Sequence, residues 1–490
     1  MTTPVDSITL QQLRKVTYQV TSPLQLSFEG HMIQCNELIR VVPGKRIVFL
    51  GAFSSKKELN ETVIIKTFVH PSRAKKHWSR ERAGSELLSD NQILTPELIS
   101  QGLSDEGVYF LIFRYIKGQN LAEFWAENNQ FEREQKLKDL MPVLEQHHRA
   151  GLAHQDLHYG NFFLAKEGGI YTLDGEEVKA SSAPLKKKVR LKNLALFLAQ
   201  TFDLPPATCL SLLNNYISLA SLSLKRQEPA QFLQWIKDYH QERINQYLKK
   251  ILRECTDVIY KKKYEKKQRS YSLCRREYHN QGVQQLLDDP EHFFQNESSV
   301  YLKQGNTCTV KSVLVDNERY VIKRYNPKGV SYELKHKGQI SRARKSWINA
   351  HLLRFMGILT PEPVALIEQS PALGKRCSYF ICQYQQGQSS WDFFCDDSNL
   401  GKQKQLVADE LIATLQQLYE YHITHGDLKG SNFLIHNNKV WMLDLDAMTQ
   451  HKMNWRFKKI WQRDKLRFLK NWDKKACYKL WKLYFNKKLQ

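Results

Sequence analysis

Two short stretches, His154–Leu164 and His425–Leu434, repeat one irregular polar pattern within a chain of 490 residues. Each places an aspartate five positions before an asparagine, Asp156 before Asn161 and Asp427 before Asn432, and then runs into apolar residues. A further aspartate closes a short apolar run at a matching distance: Asp174 follows Asp156 by 18 positions and Asp444 follows Asp427 by 17. Composition alone does not produce such a pair. It implies an internal duplication of a unit of roughly 200 to 250 residues, a whole domain rather than a solenoid module. A chain of this length can bury two separate cores.

The spacing also carries chemistry. Metal-assisted phosphoryl transfer from a nucleotide needs an aspartate to orient and deprotonate an acceptor hydroxyl. It also needs an asparagine and a second aspartate to hold the magnesium ions that neutralise the phosphates. Asp156 and Asp427 fit the first role; Asn161, Asp174, Asn432 and Asp444 fit the second. A polar turn between strands would explain a lone His-x-Asp, but not the recurring intervals.

Upstream of each loop the chain supplies what such a site requires. Leu38–Val42, Arg46–Leu50 and Thr62–Phe68 are short apolar segments separated by Pro43-Gly44 and the polar stretch Ser54–Asn60, a pattern that predicts an antiparallel sheet. Lys66 lies near the end of the third segment, where a kinase places the lysine that clamps the phosphates. The helix-like run His77–Leu88 offers Glu81 as its acidic partner, with Glu86 as the alternate, and Gly44 is the one glycine available to cover the phosphates. Pro96 ends that helix. Val108–Tyr115 predicts a strand, Gly118 a hinge, and Leu121–Asn128 and Phe131–Ala150 helices leading to His154.

The second unit repeats the plan, with Gly305 in a turn, Lys323 on the strand Tyr320–Asn326, a helix over Arg342–Phe355, and Ile358–Pro363 echoing Ile93–Leu98. A strand over Tyr379–Gln383 and a helix over Gln405–Tyr421 lead to His425. Where the first helix offers Glu81, the second shows Trp347, Ile348, Asn349 and Ala350, with no carboxylate. The expected fold class is α+β: two tandem protein-kinase-like domains, each a small antiparallel N-lobe sheet plus a mainly helical C-lobe. Their expected extents are 26–255 and 296–490, with a lead-in over 1–25 and a basic connector over 256–295.

A formal charge of +23 speaks to partners rather than to fold. Much of it lies in Lys261–Arg269 with Arg275 and Arg276, and in residues 452–488, which carry fourteen Lys and Arg against Asp464 and Asp473. An anionic membrane surface or a phosphorylated glycolipid is the expected counterpart. No groove-reading or base-stacking module supports a specific nucleic acid. Trp455, Phe457, Trp461, Phe468, Trp472, Trp481 and Tyr484 interleave with the C-terminal lysines at near-helical spacing. They are expected to form the core of the helical lobe, with an interfacial helix as the competing reading. No apolar run is long enough to span a bilayer and Met1–Leu13 lacks a signal-peptide layout, so the expected location is cytoplasmic, peripheral on the inner membrane. Nine scattered cysteines without a CxxC indicate neither a zinc site nor a disulfide framework.

Taken together, Val321–Asn326, Ser341–Trp347, the loop His425–Leu434, Leu443–Met448 and Arg463–Trp472 resemble the lipopolysaccharide kinases, the family of Kdo kinases and WaaP/InaA-type heptose kinases. The first unit is similar more thinly, through Lys66, the Thr95-Pro96 turn, the loop at His154 and Asp174. The resemblance implies phosphorylation of a sugar hydroxyl, heptose or Kdo, in the inner core of bacterial lipopolysaccharide, with ATP and magnesium. It implies that Asp156 and Asp427 are catalytic bases, that Asn161, Asp174, Asn432 and Asp444 are metal ligands, and that Lys66 and Lys323 hold phosphates. Two departures bear on the first unit's metal site: Gln155 stands where glycine or arginine is more usual, and Gly175 follows Asp174 directly. A unit that binds without catalysis, and a small-molecule kinase for choline or an aminoglycoside, are the alternatives.

Overall fold

A computed structural model describes residues 10–15, 24–54, 60–155, 157–265, 268–296, 298–326, 340–371, 377–395, 401–472 and 478–488. The chain falls into two compact units, Met1–Glu242 and Arg243–Gln490.

In the first unit, alternation along Arg46–Phe53 and Glu61–Phe68 turns Ile47, Phe49, Val63 and Ile65 into one core, as a half-buried strand requires. These strands sit inside a six-stranded antiparallel sheet whose order is Leu24–Phe28, His31–Val42, Arg46–Phe53, Glu61–Phe68, Tyr109–Arg114, Leu98–Leu103. The helix Ala74–Asp90 packs against it. The helices Leu121–Glu127 and Gln130–Arg149 each open with an asparagine capping box, Asn120 with Glu123 and Asn129 with Glu132. With Lys187–Leu198, Pro206–Leu219 and the start of Glu228–Lys250 they enclose a second core around Leu140, Leu144, Leu194, Phe197, Leu213 and Phe232.

The second unit has the same two-part construction. Its seven-stranded antiparallel sheet runs Val258–Glu265, Gln268–Arg275, Pro363–Pro371, Cys377–Gln383, Glu318–Tyr325, Cys308–Val315, Val300–Gln304. The helix Arg342–Phe355 packs on it, and the helices Lys402–Glu420, Asn454–Asn471 and Tyr478–Lys488 form the other part. Each unit therefore has the protein-kinase-like α+β fold.

Two boundaries differ from the sequence expectation. The stretch 256–295 is not a connector: it supplies two strands of the second sheet and the helices Gln281–Asp288 and Pro290–Gln295, and Cys274, Val283, Leu286 and Phe294 lie in that sheet's core. Lys263 pairs with Asp288 and Lys261 bonds Gln284, both on the helix Gln281–Asp288, so these two lysines share one face of an edge strand and Lys262 lies on the other. Within the expected lead-in, Leu10–Lys15 is a helix that buries Leu13 in the first sheet's core. The C-terminal aromatics Phe457, Trp461, Phe468, Trp472 and Trp481 are buried, whereas Trp455 is exposed.

Candidate active site

In the second unit the loop from His425 to Asn432 is fixed at both ends. The buried His425 ring bonds the Leu443 carbonyl through Nε2 at 2.9 Å, and burial lowers its pKa. Asn432 donates Nδ2 to the Asp427 carbonyl at 2.9 Å, while the Leu443 N–H donates to the Asn432 carbonyl at 2.8 Å. Asp444 then takes up the left-handed conformation, with φ of 60°, at the start of a short 3-10 turn. Such backbone geometry is costly for a non-glycine residue and is characteristic of functional sites. It aims Asp444 at the same cavity that Asn432 and Lys323 line.

The first unit builds the same frame. His154 Nε2 bonds the Asp174 carbonyl at 3.0 Å, the Leu173 N–H donates to Asn161 at 2.7 Å, and Asp174 is again left-handed, with φ of 60°. The threonine-proline turns serve one purpose in both units. Thr95 Oγ1 donates to the Thr172 carbonyl at 3.0 Å and Thr360 Oγ1 to the Met442 carbonyl at 2.7 Å, tying the sheet to the strand that ends on the aspartate. Asp156 lies outside the described residues.

Each cavity has an apolar part and a charged end. The second, of about 560 Å³, is bounded by Val310, Val321, Phe380 and Leu434, and its charged end carries Lys303, Lys323, Lys429 and Asp444. The first, of about 400 Å³, has Val48, Ile64, Phe113 and Phe163, with Arg46, Lys66 and Asp174. A flat apolar slot leading to lysine and carboxylate suits a nucleotide, base inside and phosphates at the charged end. Gly44 and Gly305 sit at the tips of the hairpins that supply one wall of each cavity, and neither lines it. Each turn holds one glycine, and lysine, arginine and aspartate side chains make up the charged end of each cavity.

The two lysines find different partners. Lys66 Nζ pairs with the fully buried Glu81, while Glu86 is half exposed and lies 3.8 Å from Arg82. Burial pushes the Glu81 carboxyl up, only partly offset by Lys66. In the second helix the position fourteen residues before the threonine of the turn is Ser346, whose hydroxyl bonds the Tyr325 hydroxyl at 2.7 Å. Lys323 turns instead to Asp444 and, at 3.4 Å, to the buried Asp446. Arg342 holds Asp446 from the other side at 2.7 Å. Burial would raise the Asp444 carboxyl, but Lys323 outweighs it and brings its pKa down to about 2. Lys323 itself is raised: burial opposes its charge, and Tyr325, Asp444 and Asp446 overcome that.

Around the second loop, Asp464 accepts the Gly426 N–H at 2.8 Å, and Arg467 donates to the Gly426 carbonyl at 2.8 Å and to Asp427 Oδ1 at 3.2 Å. Lys429 pairs with Asp427 Oδ2 at 2.7 Å. Gly426, at φ +80°, packs where a Cβ would meet the Ala447 carbonyl at 2.7 Å. In the first unit Asn193 donates to the His154 carbonyl at 2.9 Å, and His158 stands at the sequence position of Lys429.

Sequence reasoning missed Arg46, Asp446, Asp464, Arg342 and Arg467. Two had a visible signal. Asp446 is the second acid of Leu443–Asp446, and Asp464 is an isolated acid in a strongly basic helix.

Asn432 and Asp444 offer oxygen donors on one cavity wall, a hard set that suits magnesium, and the Asn432 amide nitrogen is already committed to Asp427. Magnesium bound there would neutralise charge on the transferring phosphates.

The RIO domain family matches residues 395–481. A probable serine/threonine-protein kinase, PknB, from Bifidobacterium longum (strain NCC 2705) is 29% identical over 82 residues; the match covers 16% of this chain and only 12% of that protein. The kinase domain of Mycobacterium tuberculosis PknI superposes with a TM-score of 0.28 at 14% identity, covering 40% of this chain and 98% of that one. The bifunctional kinase-methyltransferase WbdD gives a TM-score of 0.33 at 13% identity, covering 44% and 54%. These scores are low, and the fold rests on the strand order and loop geometry above. The kinase-like fold and the kinase-family matches support a phosphotransferase with a hydroxyl acceptor.

Proposed function

We propose that this chain is an ATP-dependent kinase that phosphorylates a heptose or Kdo hydroxyl of the lipopolysaccharide inner core, with the second unit as the catalyst. The observation that carries the phosphotransferase reading is the convergence of Lys323, Asn432 and Asp444 on one nucleotide-sized cavity, beside an Asp427 fixed by Lys429 and Arg467. Asp427 orients and deprotonates the sugar hydroxyl, Lys323 binds phosphate oxygens, and Lys429 reaches both Asp427 and the cavity, where it can follow charge onto the transferred group. Asp464 and Arg467 act through the loop and are positioning residues. The acceptor rests on the resemblance to lipopolysaccharide kinases and on the excess of basic residues, which suits an anionic lipid-anchored sugar at the inner membrane surface. Among the described residues no helix is long and apolar enough to cross a membrane.

The matching loop geometry of the two units supports an internal duplication. A specific observation favours different duties for the copies: the loop cation Lys429 of the second, two residues after Asp427, has His158 at the corresponding position of the first, two residues after Asp156. The test is transfer of labelled phosphate from ATP to purified, dephosphorylated lipopolysaccharide by wild type, Asp156→Asn, Asp427→Asn and the double variant. Loss with Asp427→Asn and retention with Asp156→Asn is the expected result. Phosphate appearing on choline or an aminoglycoside but not on lipopolysaccharide would replace the acceptor.

A further inference from the structure

The helix Asn454–Asn471 has two faces of opposite character. Phe457, Trp461, Asp464 and Phe468 recur at intervals of three and four residues and are buried. The rings of Phe457 and Trp461 lie against Tyr419, and that of Phe468 against Phe433, the residue after Asn432. Trp455, Lys459, Gln462, Leu466 and Lys470 recur at the same intervals on the opposite face, and all five are exposed, Trp455 by 68% and Leu466 by 64%. Met453, just ahead of the helix, is exposed as well. The helix carries seven lysines and arginines, and its single acid, Asp464, is buried and accepts the Gly426 N–H. Its outer face is therefore a basic stripe about 22 Å long that holds two large apolar side chains. The helix that reaches the loop of the first unit, Lys187–Leu198 through Asn193, differs: its exposed residues are Lys188, Val189 and Lys192, and Leu194, Ala195, Phe197 and Leu198 beyond them are buried.

A nucleic acid would answer the charge of that stripe and leave Leu466 in water, and a merely solvated surface needs neither Leu466 nor Trp455. An anionic bilayer answers both, taking lysines at its phosphates and apolar side chains at the headgroup boundary. We propose that the outer face of Asn454–Asn471 docks the second unit on an anionic lipid bilayer, with Trp455 and Leu466 at the level of the headgroups. This deepens, and rests on, the reading of the second unit as a kinase for a lipid-anchored sugar. Arg467, the neighbour of Leu466, donates to the Gly426 carbonyl and to Asp427 Oδ1, so docking the helix fixes the candidate base relative to the lipid surface.

The test is cosedimentation of the full chain, without ATP, with vesicles of phosphatidylethanolamine and phosphatidylglycerol or of phosphatidylcholine alone. Binding should require phosphatidylglycerol. Trp455→Ala with Leu466→Ala, and separately Lys459→Gln with Lys470→Gln, should each weaken it about tenfold or more. Both variants should keep wild-type transfer to detergent-dispersed lipopolysaccharide, which also shows that they are folded. In a second measurement, brominated lipid should quench tryptophan emission of the wild type, and Trp455→Phe should remove most of that quenching. Unchanged binding in both double variants, or quenching that survives Trp455→Phe, overturns the docking face and keeps the acceptor. Retention on homopolymeric RNA without vesicle binding overturns it in favour of a nucleic acid. Vesicle binding through this face with no transfer to lipopolysaccharide overturns the acceptor and keeps the face.

Discussion

Asp446→Asn isolates the acid on which the second unit's lysine depends. The substitution keeps the shape of the side chain and removes its charge. Asp446 is buried, faces Lys323 Nζ at 3.4 Å and accepts from Arg342 at 2.7 and 3.0 Å. Breaking a fully buried pair costs about 3–5 kcal/mol. Here Lys323 keeps Asp444, and the Arg342 side chain is 41% exposed, so water recovers much of its loss. The expected destabilisation is therefore about 1.5–3 kcal/mol, the range for hydrogen bonds to charged groups. At about 2–4 °C per kcal/mol for a unit of this size, the melting transition of the second unit should fall by about 3–12 °C. Lys323, left to Asp444 alone, should be drawn off the phosphates, raising KM for ATP about tenfold. Scanning calorimetry of the full chain and steady-state kinetics read the two effects. The comparison is Ser346→Ala, at the position of Glu81, which loses one neutral hydrogen bond worth about 1 kcal/mol and should leave KM unchanged. An Asp446→Asn chain with wild-type melting and KM, or a larger effect from Ser346→Ala, would refute the partnership.

Asp444→Asn should slow phosphate transfer by several orders of magnitude with the circular dichroism spectrum unchanged, because catalysis of this kind rests on charge neutralisation and positioning. Asp464→Ala should strand the Gly426 N–H and lower kcat while KM for ATP stays near wild type, the signature of a loop that is misplaced rather than a pocket that is damaged. Because the Asp444 pKa is depressed to about 2 by Lys323, its contribution to stability is present above the unfolded carboxylate range near about 3.9 and is lost as pH falls towards 2. Urea midpoints of wild type and Asp444→Asn should accordingly converge across that window. Gly84→Ala should lift the helix Ala74–Asp90 off the turn after Asp174 and lower the first unit's melting temperature, since its Cβ would collide with the Gly175 carbonyl.

The loops were legible because their chemistry dictates both residue type and interval. Asp427, Asn432 and Asp444 must reach one point from adjacent loops, and a fixed spacing is how a chain writes that constraint. Lys66 and Lys323 were legible through the apolar alternation that carries each to the cavity end of its strand. Glu81 could be named because a helix of known start offers few inward-facing acids. The partner of Lys323 could not be read, since a 3-10 turn brings Asp446 to it across more than a hundred residues, and no local period encodes that approach. Arg46 was hidden for the opposite reason: it sits in the correct alternation, and only the carboxylates facing it mark it as something other than a strand end. In 256–295 the lysines of an edge strand masked its period of two, so Val258–Glu265 read as linker while Leu273 and Cys274 were already core residues.

Gly84 and Gly175 bring the backbone of a helix directly onto the backbone of the turn that follows Asp174. Many kinase domains are governed by swinging this helix outward, which separates lysine from glutamate. Here there is no slack for that excursion: tilting the helix would peel main chain from main chain and draw Glu81 from Lys66 and Arg46 together. The first unit is built as a latch in which the helix Ala74–Asp90, the turn after Asp174 and the Lys66–Glu81 pair close together as the chain folds.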